Sequence, residues 1–119
     1  MTPNHIVYLE LPARDIAECK RFYSSAFGWR FEDFGPSYTA FSQSGLDGGF
    51  NADANERTRR PLPVIATQDI EAMEQKVVSA GGRIIMPTFA FPGGRRFHFV
   101  DPEGNELAVM QPDTAPSQG

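Results

Sequence analysis

The sequence contains a single cysteine, two histidines and no long hydrophobic run. Because Cys19 stands alone, no intrachain disulfide can form, and this cysteine usage is typical of a reducing cytoplasm. No apolar stretch approaches the roughly 20 residues of a membrane-spanning helix, so we expect no membrane segment. The N-terminus lacks a basic region followed by an apolar one, so we expect no secretory leader and a cytoplasmic location.

Positive charge is also scarce. Eleven Lys and Arg stand against 15 Asp and Glu, which gives a formal net charge of −4. Nucleic-acid-binding domains concentrate basic residues on one face, so we expect no nucleic-acid partner. The run Arg57, Arg59 and Arg60 breaks this pattern within a polar segment. These arginines either bind an anion or belong to a solvated linker, and the linker interpretation is favoured.

An internal repeat is the main feature that the sequence does contain. Asp15 precedes a helical pattern that ends at Gly28, and Asp69 and Gly82 bound a second pattern 54 residues later. Asp is a preferred residue before a helix, and Gly is preferred after one. Two copies are too few for a solenoid. They predict a pseudo-symmetric domain with a groove between related halves, where a small-molecule site is expected.

Each half is predicted to fold as β-α-β-β-β. The 119 residues suit one domain, with a first module at about 5–52 and a polar linker at about 53–61. The second module is expected at about 62–111, followed by a polar, frayed tail at 112–119. Within the second module, the strand that begins at Arg83 is expected to end at Pro87, because proline cannot donate to a strand ladder. The fold class is therefore α+β, with the helices on the outside of the sheet.

Several motifs resemble the vicinal oxygen chelate superfamily, which includes glyoxalase I, bleomycin-resistance proteins and extradiol dioxygenases. The pieces similar to its first module are Leu9-Glu10-Leu11-Pro12, Asp15, Phe22-Tyr23 and Phe27-Gly28-Trp29. The pieces similar to its second module are Val64–Gly82 and Asp101-Pro102-Glu103-Gly104-Asn105. The resemblance spans Ile6–Gln111 and is strongest to the small glyoxalase-like branch. It implies two paired βαβββ modules forming a curved mixed sheet with a concave groove, and a homodimer.

The same resemblance implies where a metal ion would bind. In the metalloenzymes of the superfamily, a divalent ion is held by His and Glu side chains from strands of both modules. The corresponding positions here hold Tyr8, Leu62 or Pro63, Ala108, and the strand Gly48–Phe50. A catalytic divalent ion needs about three protein ligands, so we expect no metal and no other cofactor. The alternative is a shifted metal site made of His5, Glu10, His98 and Glu106.

Side chains that strand alternation directs into the groove, or that lie at its rim, are candidates for ligand contacts. They are Tyr8, Glu10, Tyr38, Phe50, Phe91, Arg96, His98, Glu106 and Met110. Carboxylates and histidine can act as general acids or bases, and aromatic rings can stack on a flat ligand. A structural hydrogen bond is the favoured role for His98 and core packing is the favoured role for Phe50, while solvent exposure is the alternative for the glutamates. No catalytic residue is assigned.

Three functional hypotheses follow. The leading one is a metal-independent glyoxalase/bleomycin-resistance-like protein that binds a small organic ligand in the groove between the modules. The alternative is a metal-dependent lyase or dioxygenase with the shifted metal site, and whether the chain is an enzyme stays open. The third is a dimeric interaction module whose groove is filled by its own side chains. The expected partners are a small-molecule ligand and a second copy of the chain.

Overall fold

The computed structural model describes residues 2–113, which form two copies of a βαβββ unit. The first copy comprises β1 (Ile6–Pro12), α1 (Ile16–Phe27), β2 (Arg30–Asp33), β3 (Tyr38–Ser42) and β4 (Gly48–Asn51). The second comprises β5 (Leu62–Ala66), α2 (Ile70–Ser79), β6 (Arg83–Phe91), β7 (Gly94–Val100) and β8 (Glu106–Pro112). The predicted α+β class with two βαβββ modules is therefore confirmed. No helix within the described residues is long and apolar enough to cross a lipid bilayer.

The chain divides into two compact units, which we call the first module (residues 8–62) and the second module (residues 2–7 and 63–113). Strand order is β2-β3-β4-β1 in the first module and β5-β8-β7-β6 in the second. In each module one pair is parallel, β1 with β4 and β5 with β8, and the other pairs are antiparallel. Residues 2–7 belong to the second module because the backbones of Asn4 and His5 bond to that of Ala66. The sequence had placed the segment from residue 5 in the first module.

The repeated aspartates begin both helices, as the sequence predicts. The Asp15 carboxylate accepts a hydrogen bond from the backbone N–H of Glu18, and Asp69 accepts one from Ala72, both at 3.1 Å. These bonds satisfy backbone donors that the first turn of a helix leaves without a partner. Gly28 ends α1 in the left-handed conformation, with φ of 74°, which an L residue adopts only at a cost.

Strand β6 corrects the prediction that Pro87 ends it. The strand runs from Arg83 to Phe91, and its pairing with β7 shifts register between Ile84 and Met86 and again between Met86 and Phe89. A proline is tolerated there because β6 is the edge strand of its module and needs no ladder partner on its outer side. The register shifts on either side of Met86 accommodate Pro87, and the strand continues for four more residues, Thr88 to Phe91.

Strand β8 also extends further along the chain than predicted. Pro112 is the last residue of β8, and the Asp113 N–H donates to the Gly93 carbonyl at 2.9 Å. Residues 112 and 113 of the predicted frayed tail are therefore paired or bonded to the sheet. Residues 114–119, the rest of that predicted tail, lie outside the described residues.

Each module has a hydrophobic core between its helix and one face of its strands. The buried members are Ile70, Phe97, Phe99 and Val109 in the second module and Ala13, Phe41 and Phe50 in the first. Phe50 is only 3% exposed, and its ring centroid lies 5.3 Å from that of Tyr23 on α1. Phe50 thus has the core-packing role that the sequence favoured, and its place among the ligand-contact candidates is corrected. Strand alternation turns its ring toward the helix and into the core.

Candidate functional site

The helix-free face of the second module carries a histidine–carboxylate pair. His98 on β7 lies opposite Ala108 on β8, and its Nδ1 is 2.8 Å from Oε2 of Glu106. His98 is 3% exposed, whereas the Glu106 side chain is 35% exposed. In the neutral ring, donation from Nδ1–H to the carboxylate makes Nε2 the acceptor nitrogen. Such a pair can hold or move a proton, which is the chemistry of a general acid or base.

A cation framed by two aromatic rings lies beside this pair. Arg96 precedes His98 by two residues on the same strand face, and its guanidinium carbon lies 5.4 Å from the ring centroid of Phe89 and 5.3 Å from that of Phe91. Both distances fall within the range of cation–π contact. The Phe89 ring is also 5.9 Å from the His98 ring. We call Phe89, Phe91, Arg96, His98 and Glu106 the arginine–histidine face.

Arg95, the neighbouring residue on β7, faces the opposite way. Its guanidinium forms a 2.5 Å ion pair with Glu71 on α2 and bonds to the Gln111 side chain. This pairing lowers the pKa of Glu71 from its ordinary value. Strand alternation thus separates two adjacent arginines, one toward the helix and one toward the helix-free face. Of the two arginines, Arg96 is therefore the one that lies beside His98 and the phenylalanine rings.

The first module has its own buried polar cluster on its helix-free face. The hydroxyl oxygens of Tyr8 and Tyr38 are 2.6 Å apart, and the Tyr38 hydroxyl donates to Glu10 at 3.3 Å. The Asn51 side-chain amide donates to the second Glu10 oxygen at 3.4 Å. Glu10 is 4% exposed, so these bonds stabilise a carboxylate that is withdrawn from water. We call these four residues the tyrosine–glutamate cluster.

Gly49 makes room for this cluster. A Cβ on Gly49 would lie 2.5 Å from the Tyr38 hydroxyl oxygen and 2.6 Å from its ring, so the tyrosine ring rests directly on the glycine. In this position, burial first, then the hydrogen bond with Tyr8 and the charge of Glu10, raise the pKa of Tyr38 far above its ordinary value. The raised pKa keeps Tyr38 in its neutral, hydrogen-bonding form at neutral pH.

The raised pKa of Tyr38 predicts a loss of stability in alkali. Above about pH 10 the unfolded chain releases the tyrosine proton while the folded chain keeps it, so the folded state binds more protons. The free energy of unfolding should then fall with rising pH, by up to about 1.4 kcal/mol per unit from this one group. Urea unfolding between about pH 9 and 11 measures how steeply the free energy of unfolding falls with pH. In the Tyr38→Phe variant this fall should be shallower above about pH 10. Identical slopes in both proteins would refute the assignment.

Eight of the nine predicted contact residues lie on helix-free faces, and Phe50 is the exception. Those of the first module are Tyr8, Glu10 and Tyr38, and those of the second are Phe91, Arg96, His98, Glu106 and Met110. Their roles in binding stay predictions. Sequence reasoning missed Phe89 because it ended β6 at Pro87, although Phe89 and Phe91 alternate with a strand period. It missed Asn51 because the bond to Glu10 depends on the pairing of β1 with β4, two segments that are remote in sequence.

One known family matches nearly the whole described chain. The model of the Glyoxalase/Bleomycin resistance protein/Dioxygenase superfamily matches residues 3–109. The chain belongs to this superfamily. The match covers both βαβββ modules, so the resemblance inferred from the short motifs is confirmed.

The chain is similar to two curated proteins and to one solved structure. "Putative glyoxylase CFP32" of Mycobacterium tuberculosis is 30% identical, over 92% of this chain and 45% of its own length. "Anthracycline biosynthesis protein DnrV" of Streptomyces peucetius is 30% identical, over 92% of this chain and 47% of its own. The Mn(II)-bound glyoxalase of Novosphingobium aromaticivorans superposes with a TM-score of 0.67 at 19% identity, over 96% of this chain and 43% of its own. The chain thus spans less than half the length of these curated relatives.

The side chains of this superfamily member do not fit a metal centre of the kind that the resemblance implies. The positions inferred for ligands hold Tyr8, Leu62 or Pro63, and Ala108, and only the first carries an oxygen donor. His98 and Glu106 provide two donors, which bond to each other. Within residues 2–113, no group of three or more His, Cys, Asp or Glu side chains is arranged to hold a metal ion. Absence of a metal from the working protein stays a prediction.

Proposed function

We propose that this chain binds a flat, conjugated small organic molecule on the arginine–histidine face, and that it needs no metal ion to do so. The observation that carries the proposal is the placement of Arg96 between Phe89 and Phe91, beside the bonded pair His98 and Glu106. Ligand sites are typically apolar and aromatic surfaces with a few polar groups that fix orientation. All five side chains come from one sheet face of one module.

Each group has a distinct part in this proposal. The two phenylalanine rings offer π-surface on which a flat ring system can stack. The guanidinium between them favours a carboxylate or an enolised oxygen, since arginine presents planar N–H donors that match such groups. Glu106 orients the His98 ring, so that the histidine presents one fixed tautomer to the ligand. Orientation by paired side chains lowers the entropy lost on binding.

The relative DnrV guides the choice of probe, since its name places it in anthracycline biosynthesis. Anthracyclines have a flat, hydroxylated ring system that matches the proposed ligand class and fluoresces. We expect daunorubicin, or the simpler anthraquinone-2-carboxylate, to bind the full chain saturably in buffer with EDTA. Arg96→Gln should weaken binding about tenfold or more, because a hydrogen bond to a charged group contributes about 1.5–3 kcal/mol.

Arg95→Gln is the matched control for this titration. It removes the same charge from the adjacent position, but on the helix side of β7, where Arg95 pairs with Glu71. We expect affinity within about twofold of wild type for this variant, since exposed pairs contribute little. Equal losses in the two variants would show a general charge effect, and failure of both probes to saturate would refute the proposed ligand class.

A metal-dependent lyase or dioxygenase with a shifted site is the second candidate. The names of CFP32 and of the Mn(II)-bound glyoxalase favour it, as does the presence of two metal-ligand residue types in the His98 and Glu106 pair. Retention of Mn²⁺ by wild type and its loss in a His98→Ala/Glu106→Gln double variant would support this candidate. Unchanged retention in the double variant would exclude these two residues as ligands.

A homodimer is the assembly that we propose for either function. The proposal rests on the superfamily to which the chain belongs and on exposed apolar side chains such as Phe22, Phe27 and Val78. Light scattering coupled to size-exclusion chromatography measures the mass directly. A mass near twice the 13.2 kDa of one chain would support the proposal, and the mass of a single chain would refute it.

A further inference from the structure

An open pocket of about 480 Å³ lies where β1 and β4 of the first module end. Because these strands are parallel, with Leu11 opposite Phe50, the segments that follow them leave the sheet at the same edge. Arg14 follows β1, and Arg57 and Arg59 follow β4, so distant parts of the sequence bring three guanidinium groups to one pocket. We propose that this pocket binds a phosphoryl group, as inorganic pyrophosphate or as the phosphate end of a small metabolite.

The backbone holds Arg57 in place for this role. Its Nη1 donates to the carbonyl of Ala13 at 2.8 Å and to that of Ala52 at 3.3 Å, one carbonyl from each of the two converging segments. The side chain is half-buried. Nε and Nη2 carry the other three N–H donors of the guanidinium. A donor group that is already fixed loses little conformational freedom when a ligand binds, which favours binding.

The pocket concentrates positive charge in an acidic protein. The chain has a net charge of −4, yet three arginines line this one pocket. Over residues 2–113, no carboxylate lies within salt-bridge distance of the guanidinium groups of Arg14, Arg57 and Arg59. Arginine forks match phosphate oxygens in pairs, and such charge-assisted bonds are about twice as strong as neutral ones. A phosphoryl group would provide negative charge opposite the three guanidinium groups.

In the second module, a glutamine side chain of the protein itself occupies the corresponding end of the sheet. There Gln111, which follows Met110 on β8, accepts a hydrogen bond from the N–H of Ile70, the first residue of α2, at 2.9 Å. The strand register makes Ala52 the counterpart of Gln111 in the first module. An alanine side chain cannot accept a hydrogen bond, so the first module lacks this internal acceptor. It has the arginine pocket at the corresponding edge instead.

Calorimetric titration of the full chain with inorganic pyrophosphate tests the proposal. We expect saturable binding of one pyrophosphate per chain at low ionic strength, weakening as NaCl is added because the charges are exposed. Arg14→Gln and Arg59→Gln should each reduce affinity about tenfold, the effect of one charge-assisted hydrogen bond. Both side chains are exposed, so neither change threatens folding, and thermal unfolding of each variant verifies this.

Arg60→Gln is the matched control, because Arg60 is exposed in the same segment but does not line the pocket. Affinity should stay within about twofold of wild type. Adenosine diphosphate that binds as tightly as pyrophosphate would identify the phosphate end of a larger molecule as the occupant. Binding of pyrophosphate alone would identify a free anion, and both results support the pocket. No saturable binding, or an equal loss in Arg60→Gln, would overturn it.

Discussion

Replacing Phe97 with alanine is expected to lower the free energy of unfolding by about 3–5 kcal/mol, the largest effect of any side-chain truncation in the second module. Phe97 has no solvent exposure and lies at the centre of the core that joins α2 to β7 and β8. Truncation removes the transfer free energy of the ring and leaves a cavity among Ile70, Phe99 and Val109. Because a domain of this size is stable by only about 5–15 kcal/mol, the variant will be close to unfolding.

Phe34→Ala is the control for this measurement. Phe34 is 58% exposed, so its truncation should cost about 0.5 kcal/mol or less. Urea unfolding followed by circular dichroism gives both values under one set of conditions. A cost for Phe97→Ala no greater than that for Phe34→Ala would show that the core is not packed as described.

Replacing Gly48 with alanine is expected to cost about 3 kcal/mol or more, through crowding rather than through lost contact. A Cβ at this position would lie 2.2 Å from the Leu9 carbonyl oxygen and 2.3 Å from the Phe41 ring. No rotamer change relieves the contact with a backbone oxygen, so β1 and β4 must separate. Since Leu9 and Gly48 are paired in the parallel register, the damage falls on the central ladder of the first module.

Gly45→Ala is the control for this crowding, because at Gly45 an added Cβ meets only the cost of a left-handed backbone conformation. Gly45 lies in the turn before β4 with φ of 90°, and nothing lies within 4 Å of a Cβ placed there. Its substitution therefore reports backbone strain alone, about 1–2 kcal/mol. Denaturant unfolding should rank Gly48→Ala well below Gly45→Ala in stability. The reverse order would mean that β1 and β4 are further apart than described.

The two modules share a backbone plan but differ in side-chain chemistry. Glu10 and Val64 are equivalent positions, 54 residues apart. Glu10 pairs with Gly49 in the first module, and Val64 pairs with Ala108 in the second, so Gly49 and Ala108 are also equivalent. The same register makes Tyr38 the counterpart of Arg96. A neutral tyrosine with a raised pKa thus stands in one module where a cation stands in the other. The repeat therefore duplicates the scaffold, while each helix-free face has a different capacity for binding.

Most of the backbone could be predicted from local signals in the sequence. Asp15 and Asp69 cap helices because a short carboxylate at that position satisfies backbone donors, which needs no tertiary information. Alternation along β7 likewise puts the Phe97 and His98 side chains on opposite faces, which the two-residue period of a strand requires. Pro87 was misjudged because its tolerance depends on β6 being an edge strand, which only the assembled sheet decides.

The candidate site was harder to predict than the fold. The bond between His98 and Glu106 joins two strands and depends on their register, which the sequence does not encode locally. Phe89 lies beside Arg96 because β6 continues past Pro87, where the proline predicts the end of a strand. Asn51 contacts Glu10 because β4 lies parallel to β1, a pairing between segments that are remote in sequence. Local pattern cannot reveal contacts of this kind.

The central claim is that the arginine–histidine face binds a flat conjugated ligand without a metal ion. The most direct measurement is a fluorescence titration of the full chain with daunorubicin, first after treatment with EDTA and then with added Mn²⁺. We predict saturable binding in EDTA, with an affinity that Mn²⁺ leaves unchanged within about twofold. Binding that occurs only after Mn²⁺ is added would contradict the claim and favour the metal-dependent enzyme.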